Sequence, residues 1–103
     1  MKYKFLLIAL VLCATTRMFA EKGRVAKRVS GCDYYAVYVP SGYAVLEWYG
    51  GTDPDEGDTI AGSFKNYGFH TFFVNSGSET RAYVEDWGLS LDDALEQLSE
   101  KCD

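Results

Sequence analysis

Four acids occupy six positions in "GGTDPDEGDTIAG", residues 50–62: Asp53, Asp55, Glu56 and Asp58. Carboxylates at this density suit three roles: a calcium site, a docking surface for a cation, or a solvated turn. Calcium asks for about six oxygens, and the EF-hand spaces its first acids two apart with glycine in sixth place. Counted from Asp53, the acids fall in the first, third, fourth and sixth places and glycine in the fifth. That register differs, and Asp-Pro and Glu-Gly-Asp are ordinary turn vocabulary. The stretch therefore reads as a solvated connection between two strands. Asp53, Asp55 and Asp58 remain the candidate ligands of an alternative reading, a calcium-stabilised structural envelope protein.

Other residues offer less chemistry. His70 is the only histidine and stands in an aromatic run, "FHTFFV". General acid–base work needs a partner within hydrogen-bond reach, and the sequence designates none. There is no Gly-x-Ser-x-Gly, so no serine is marked as a nucleophile. With 15 acids in the chain, a carboxylate pair for glycoside hydrolysis can always be drawn and carries no information. No catalytic residue, and hence no enzyme activity and no cofactor, is expected.

Tyrosines beside acids point instead to recognition. In "YAVLEWY", residues 43–49, Ala44, Leu46 and Trp48 share one strand face and bear no charge. They are expected to face the core, leaving Tyr43, Glu47 and Tyr49 outward with Val45. Tyrosine buries much area at little entropic cost, so Tyr43, Glu47, Tyr49, Asp53 and Glu56 form the candidate partner-binding set. The competing reading lets a helix cover that face and makes the tyrosines rim residues of a core.

The elements that position these groups follow from pattern. Strands are expected over 32–39, 43–49, 58–64, 69–74 and 79–87, where aromatic and β-branched residues gather between turn signals. "PSG" at 40–42 joins the first two as a hairpin. Gly62, inside a strand, signals a bend or a close approach. The seven tyrosines, four phenylalanines and two tryptophans of residues 21–103 are too many for the surface of so small a domain, so most must pack. Ser90 and Asp93 form a capping-box-like pair, and Leu91, Ala94, Leu95, Leu98 and Cys102 make one helical stripe. The expected fold is mainly β with one C-terminal helix, a five-stranded antiparallel, partly open barrel or curled sheet. In strand count alone it resembles SH3-like and OB-like small barrels, and that likeness carries no function.

The first twenty residues read as a signal peptide. Lys2 and Lys4 precede the apolar run "FLLIALVLCA", and cleavage is expected after Ala20. Ten apolar residues are short for a membrane span, so no membrane insertion is expected after cleavage. Cys13 would leave with the signal. Residues 21–30, "EKGRVAKRVS", carry net +3 without an apolar face and read as a disordered basic leader. The single domain then runs from 31 to 103.

An exported chain meets oxidising conditions, so Cys32 and Cys102 are expected to form a disulfide. Residues 21–103 hold 7 basic and 15 acidic groups, net −8. Such a surface repels phosphate backbones and anionic lipid, which argues against nucleic acid as a partner. The functional expectation is an exported, periplasmic or secreted, monomeric binding module that docks a basic protein, as inhibitors and immunity proteins do.

Overall fold

The computed structural model describes residues 20–103. The signal-peptide expectation therefore lies outside the described residues, except for Ala20. Six strands and one helix follow in order: β1 (Glu21–Arg28), β2 (Tyr34–Val39), β3 (Gly42–Gly51), β4 (Thr59–Gly62), β5 (Gly68–Val74), β6 (Ser78–Leu89) and α1 (Leu91–Lys101). They form a closed antiparallel barrel in the order β1-β2-β3-β6-β5-β4. The five expected strands and the helix are all present, each strand boundary within two residues of its expected place.

The expected leader is corrected. Residues 21–28 are a strand, and the domain begins there rather than at 31. β1 pairs with β2 on one side, Arg24 opposite Tyr38 and Arg28 opposite Tyr35, and with β4 on the other, Glu21 opposite Gly62 and Arg24 opposite Thr59. It is the sixth stave, and it turns a partly open sheet into a closed one. Its sequence hid this because only Gly23 and Val25 face inward, and a bulge between Val25 and Lys27 breaks the alternation. Val25 is buried. Gly23 is there for space: a Cβ would collide with the Tyr38 carbonyl and with Val39.

The interior is filled by alternate residues of all six staves. Val25, Tyr35, Val37, Ala44, Leu46, Ile60, Phe72, Ala82 and Val84 pack together with Phe64, and Trp48 and Trp87 lie against them. Phe64 and Phe72 stack at 4.8 Å between centroids. Gly62 explains itself here, because the Phe72 ring sits where its Cβ would be. Ala44 and Leu46 face inward as the alternation requires, and Trp48 follows as a partly buried neighbour.

Outside the barrel, α1 covers a small second cluster of Ala36, Val45, Ala94 and Leu98. Ser90 caps the helix, its hydroxyl accepting from the Asp93 amide at 3.1 Å. The leucine stripe is only half used. Leu91 and Leu95 remain exposed at 44% and 37%. Cys102 bonds Cys32 with 5.5 Å between Cα atoms, which ties the helix end to the loop that leads into β2.

Two stability outcomes follow. Gly23→Ala is expected to destabilise by several kcal/mol, on the order of an overpacked core site, whereas Gly77→Ala, with open space around it and no positive φ, should be near neutral. Urea unfolding of both variants decides this; equal stability would refute the close-approach role of Gly23. Reduction of Cys32–Cys102 opens a link of 70 residues, and the chain-entropy argument puts the loss at about 4 kcal/mol at most. Thermal melts with and without reductant read it.

Candidate functional site

The acidic loop is answered from inside the chain. Arg28 on β1 pairs with Asp53 at 2.6 Å, and the Arg28 amide donates to Glu56 at 3.0 Å. Arg24 donates to the Gly57 carbonyl at 2.8 Å. Backbone bonds add to this latch: Val25 N–H to the Asp58 carbonyl and Gly57 N–H to the Val25 carbonyl, both 2.9 Å. Asp58 closes its own turn by accepting from the Asp55 amide at 2.9 Å and takes a bond from the Asn75 amide side chain at 3.2 Å. The basic segment and the acidic loop are thus each other's nearest partners.

This placement bears on both candidate sets. Asp53 and Asp58 spend oxygens on Arg28, Asp55 and Asn75, and among the described residues no group of three or more His, Cys, Asp or Glu side chains converges as for a metal ion. The trio Asp53, Asp55 and Asp58 is therefore not assembled. Asp53 and Glu56 also stand apart from the other members of the partner-binding set, on the β1 side of the barrel.

Arg28 does one thing more. Its guanidinium lies over the Tyr35 ring, 4.9 Å from the centroid, and closes that end of the barrel. Tyr35 is fully buried. Desolvation holds its hydroxyl well above the usual phenol range, with the Arg28 charge opposing.

The tyrosines of the set divide. Tyr43 sits at the start of β3, 5.1 Å from the Tyr38 ring, and packs against the cluster under α1. For Tyr43 the helix-covered reading holds. Glu47 and Tyr49 lie further along β3, past the apolar cluster that α1 covers. Here three neighbouring strands bring more aromatics to the outer face. Tyr83 on β6 is opposite Glu47, and Phe69 on β5 is opposite Tyr83. Tyr49 meets Phe69 edge-on at 4.8 Å, and Phe69 meets Tyr83 edge-on at 4.9 Å. Arg81 stacks on Phe69 at 5.3 Å. Tyr49 and Phe69 are 52% and 47% exposed, too much for rings whose role is to fill a core.

This row continues to the end of the helix. Tyr34 on β2 is opposite Glu47. Lys101 of α1 places its ammonium 5.1 Å from the Tyr34 ring centroid and 3.3 Å from Glu85. The Glu47 carboxylate acts on both the Tyr34 and the Tyr49 hydroxyl. Desolvation first, then the bond to Glu47 and the charges of Glu47 and Glu85, push the Tyr34 hydroxyl up to about 12. Tyr49 moves the same way, with desolvation first and Glu47 next.

Two shallow grooves flank the disulfide. One, about 290 Å³, runs between Arg28, Asp33 and the acidic loop. The other, about 250 Å³, lies between Asp33, Tyr34, Glu47, Lys101 and Cys102. His70, by contrast, holds the Asn66 carbonyl with Nε2 at 3.0 Å and stands edge-on to Phe72; neither partner is an acid or a base. Comparison of the chain with known family models, with curated proteins and with solved structures finds no match.

Sequence reasoning found Glu47 and Tyr49 and missed Phe69 and Tyr83 as members of the same face. A usable signal existed: Phe69 and Phe73 alternate with His70 and Phe72 in β5, so a half-solvated strand already had to put phenylalanine outside.

The titration of this face is measurable. A phenol whose proton is held more tightly in the fold than in the unfolded chain stabilises the fold below pH about 10, and that contribution fades as pH rises through the folded value of about 12. Stability is thus expected to fall between pH 10 and 12. Phenolate absorbance should show late-titrating groups, and Tyr34→Phe should remove one of them. An unchanged alkaline limb in Tyr34→Phe would refute the assignment.

Proposed function

We propose that the chain is an exported interaction module that uses the outer face of β3, β6 and β5 to dock a cationic protein. The observation that carries this reading is the exposed edge-to-face row Tyr49–Phe69–Tyr83. Rings packed on one another at the surface are pre-ordered, so a partner covering them gains apolar burial at little rotamer cost. Interface centres are typically of this kind.

Charge selects the partner. Residues 21–103 hold 7 basic and 15 acidic groups. Four of the seven cations are already engaged within the fold: Arg24 on Gly57, Arg28 on Asp53, Arg81 on Phe69 and Lys101 on Glu85. The acids of α1, Asp92, Asp93, Glu96 and Glu100, look outward. A field of this sign accelerates encounter with a positive protein and repels nucleic acid and anionic lipid. The disulfide supports an oxidising compartment outside the cytosol. Among the described residues no helix is long and apolar enough to cross a membrane.

The test uses a panel of purified basic proteins with acidic proteins of matched size as controls. Association with a basic partner is expected to slow by about tenfold or more when salt shortens the Debye length from about 30 to about 8 Å. Phe69→Ser, on an exposed ring, should raise the dissociation rate while leaving the melting temperature nearly unchanged. Salt-independent binding, or binding that ignores Phe69→Ser, would overturn the proposal.

A further inference from the structure

We infer that the groove lined by Tyr34 and Glu47, next to the Lys101–Glu85 pair, is a receptor for the ammonium group of a lysine side chain on the partner, and that Lys101 is its built-in stand-in. This rests on the docking reading above and specifies the chemistry at one end of that surface.

Lys101 already occupies the edge of this groove. The Lys101 ammonium is held by a ring face and a carboxylate together, 5.1 Å from the Tyr34 centroid and 3.3 Å from Glu85. A ring face plus an acid is the arrangement that captures alkylammonium groups. Tyr34 is well fixed for that purpose: it sits in the β2–β3 ladder opposite Glu47, its amide donates to the Cys32 sulfur at 3.4 Å, and it packs against the cluster under α1. The receptor is therefore rigid. Its occupant is not: the Lys101 side chain is 35% exposed and stands at the last turn of α1.

Space lies beside it. The groove of about 250 Å³ has Tyr34 and Glu47 as one wall and Lys101 as another. Asp33 and Asp103 complete its rim, so the carboxylate side chains around it find one cation from this chain, Lys101. The groove adjoins Tyr49 through Glu47, which places it at the end of the aromatic row. A partner seated on Tyr49 and Phe69 has a lysine position within reach of Tyr34. When that lysine enters, Lys101 swings to solvent and Glu85 changes partner, one ammonium replacing another without leaving a buried charge unpaired.

Lys101 then acts as a competitor, and its removal should strengthen binding. The experiment titrates a lysine-rich peptide, and the same peptide with every lysine acetylated, into wild type, Lys101→Gln, Lys101→Ala and Lys65→Gln, following amide shifts. Lys65 lies in the turn before β5, away from the groove, and its substitution makes the same charge change. Both Lys101 variants are expected to bind the lysine peptide about three- to tenfold more tightly than wild type, the span of a partly exposed cation–π contact with its ion pair. Lys65→Gln should give less than half of that gain, the acetylated peptide should not bind, and Tyr34→Ala in the Lys101→Gln background should cancel the gain. Equal gains in the Lys101 and Lys65 variants would overturn the receptor and leave the docking reading standing. Binding of basic proteins at Phe69 with no peptide binding in any variant would do the same. No binding of peptide or basic proteins would overturn both.

Discussion

The fold depends on one ladder, the pairing of β1 with β4. Without it the six strands form an open sheet with β1 and β4 as two raw edges, and a domain of this size has little else to bury them. Closure satisfies the backbone groups of both edge strands at once. It also fixes the interior, because Val25 and the space left by Gly23 complete the ring of residues around Tyr35, Val37 and Val39. β4 makes only a two-residue register with β5, Ile60 to Val74 and Ala61 to Phe73. That seam is short, so β1 holds β4 in place as much as β5 does.

Charge accompanies closure. The basic β1 and the acidic loop meet because β1 enters beside β4, whose preceding residues are Asp53 to Asp58. Arg28 links three functions at one point: it ends the strand, pairs with Asp53 and covers the Tyr35 ring. Ion pairs with one solvated partner, as Asp53 is here, add little stability by themselves. Their consequence is distribution, since they remove cations from the rest of the surface and leave the remaining faces acidic.

Aromatic residues are split between the two sides of one wall. Tyr35, Phe64 and Phe72 fill the inside; Tyr34, Tyr49, Phe69 and Tyr83 line the outside. The barrel interior is full, so the outer set has no room in it, and α1 reaches only Ala36, Val45 and the flanks of Tyr34, Tyr43 and Leu89. A surface row of rings is what remains after the core and the helix have taken what they can hold. Its position at the pinned end of α1 puts Lys101 next to it, and the disulfide keeps that neighbour there.

Local pattern in the chain determined the positions of five strands, the Ser90 cap, the inward set Ala44 and Leu46, and the partnership of Cys32 with Cys102. Each depends on residues near one another in sequence or, for the sulfurs, on there being two thiols at the ends of one patterned region. Tertiary structure alone decided that "EKGRVAKR" is a strand, since its two inward residues carry almost no period and its extended form is imposed by two edges waiting to be paired. It also decided that Asp53 pairs with the Arg28 guanidinium and Glu56 takes the Arg28 backbone amide, while Glu47 and Tyr49 join Phe69 and Tyr83. Those meetings are set by the β3–β6 and β6–β5 registers, and a register between strands far apart in sequence leaves no mark in the local order of residues.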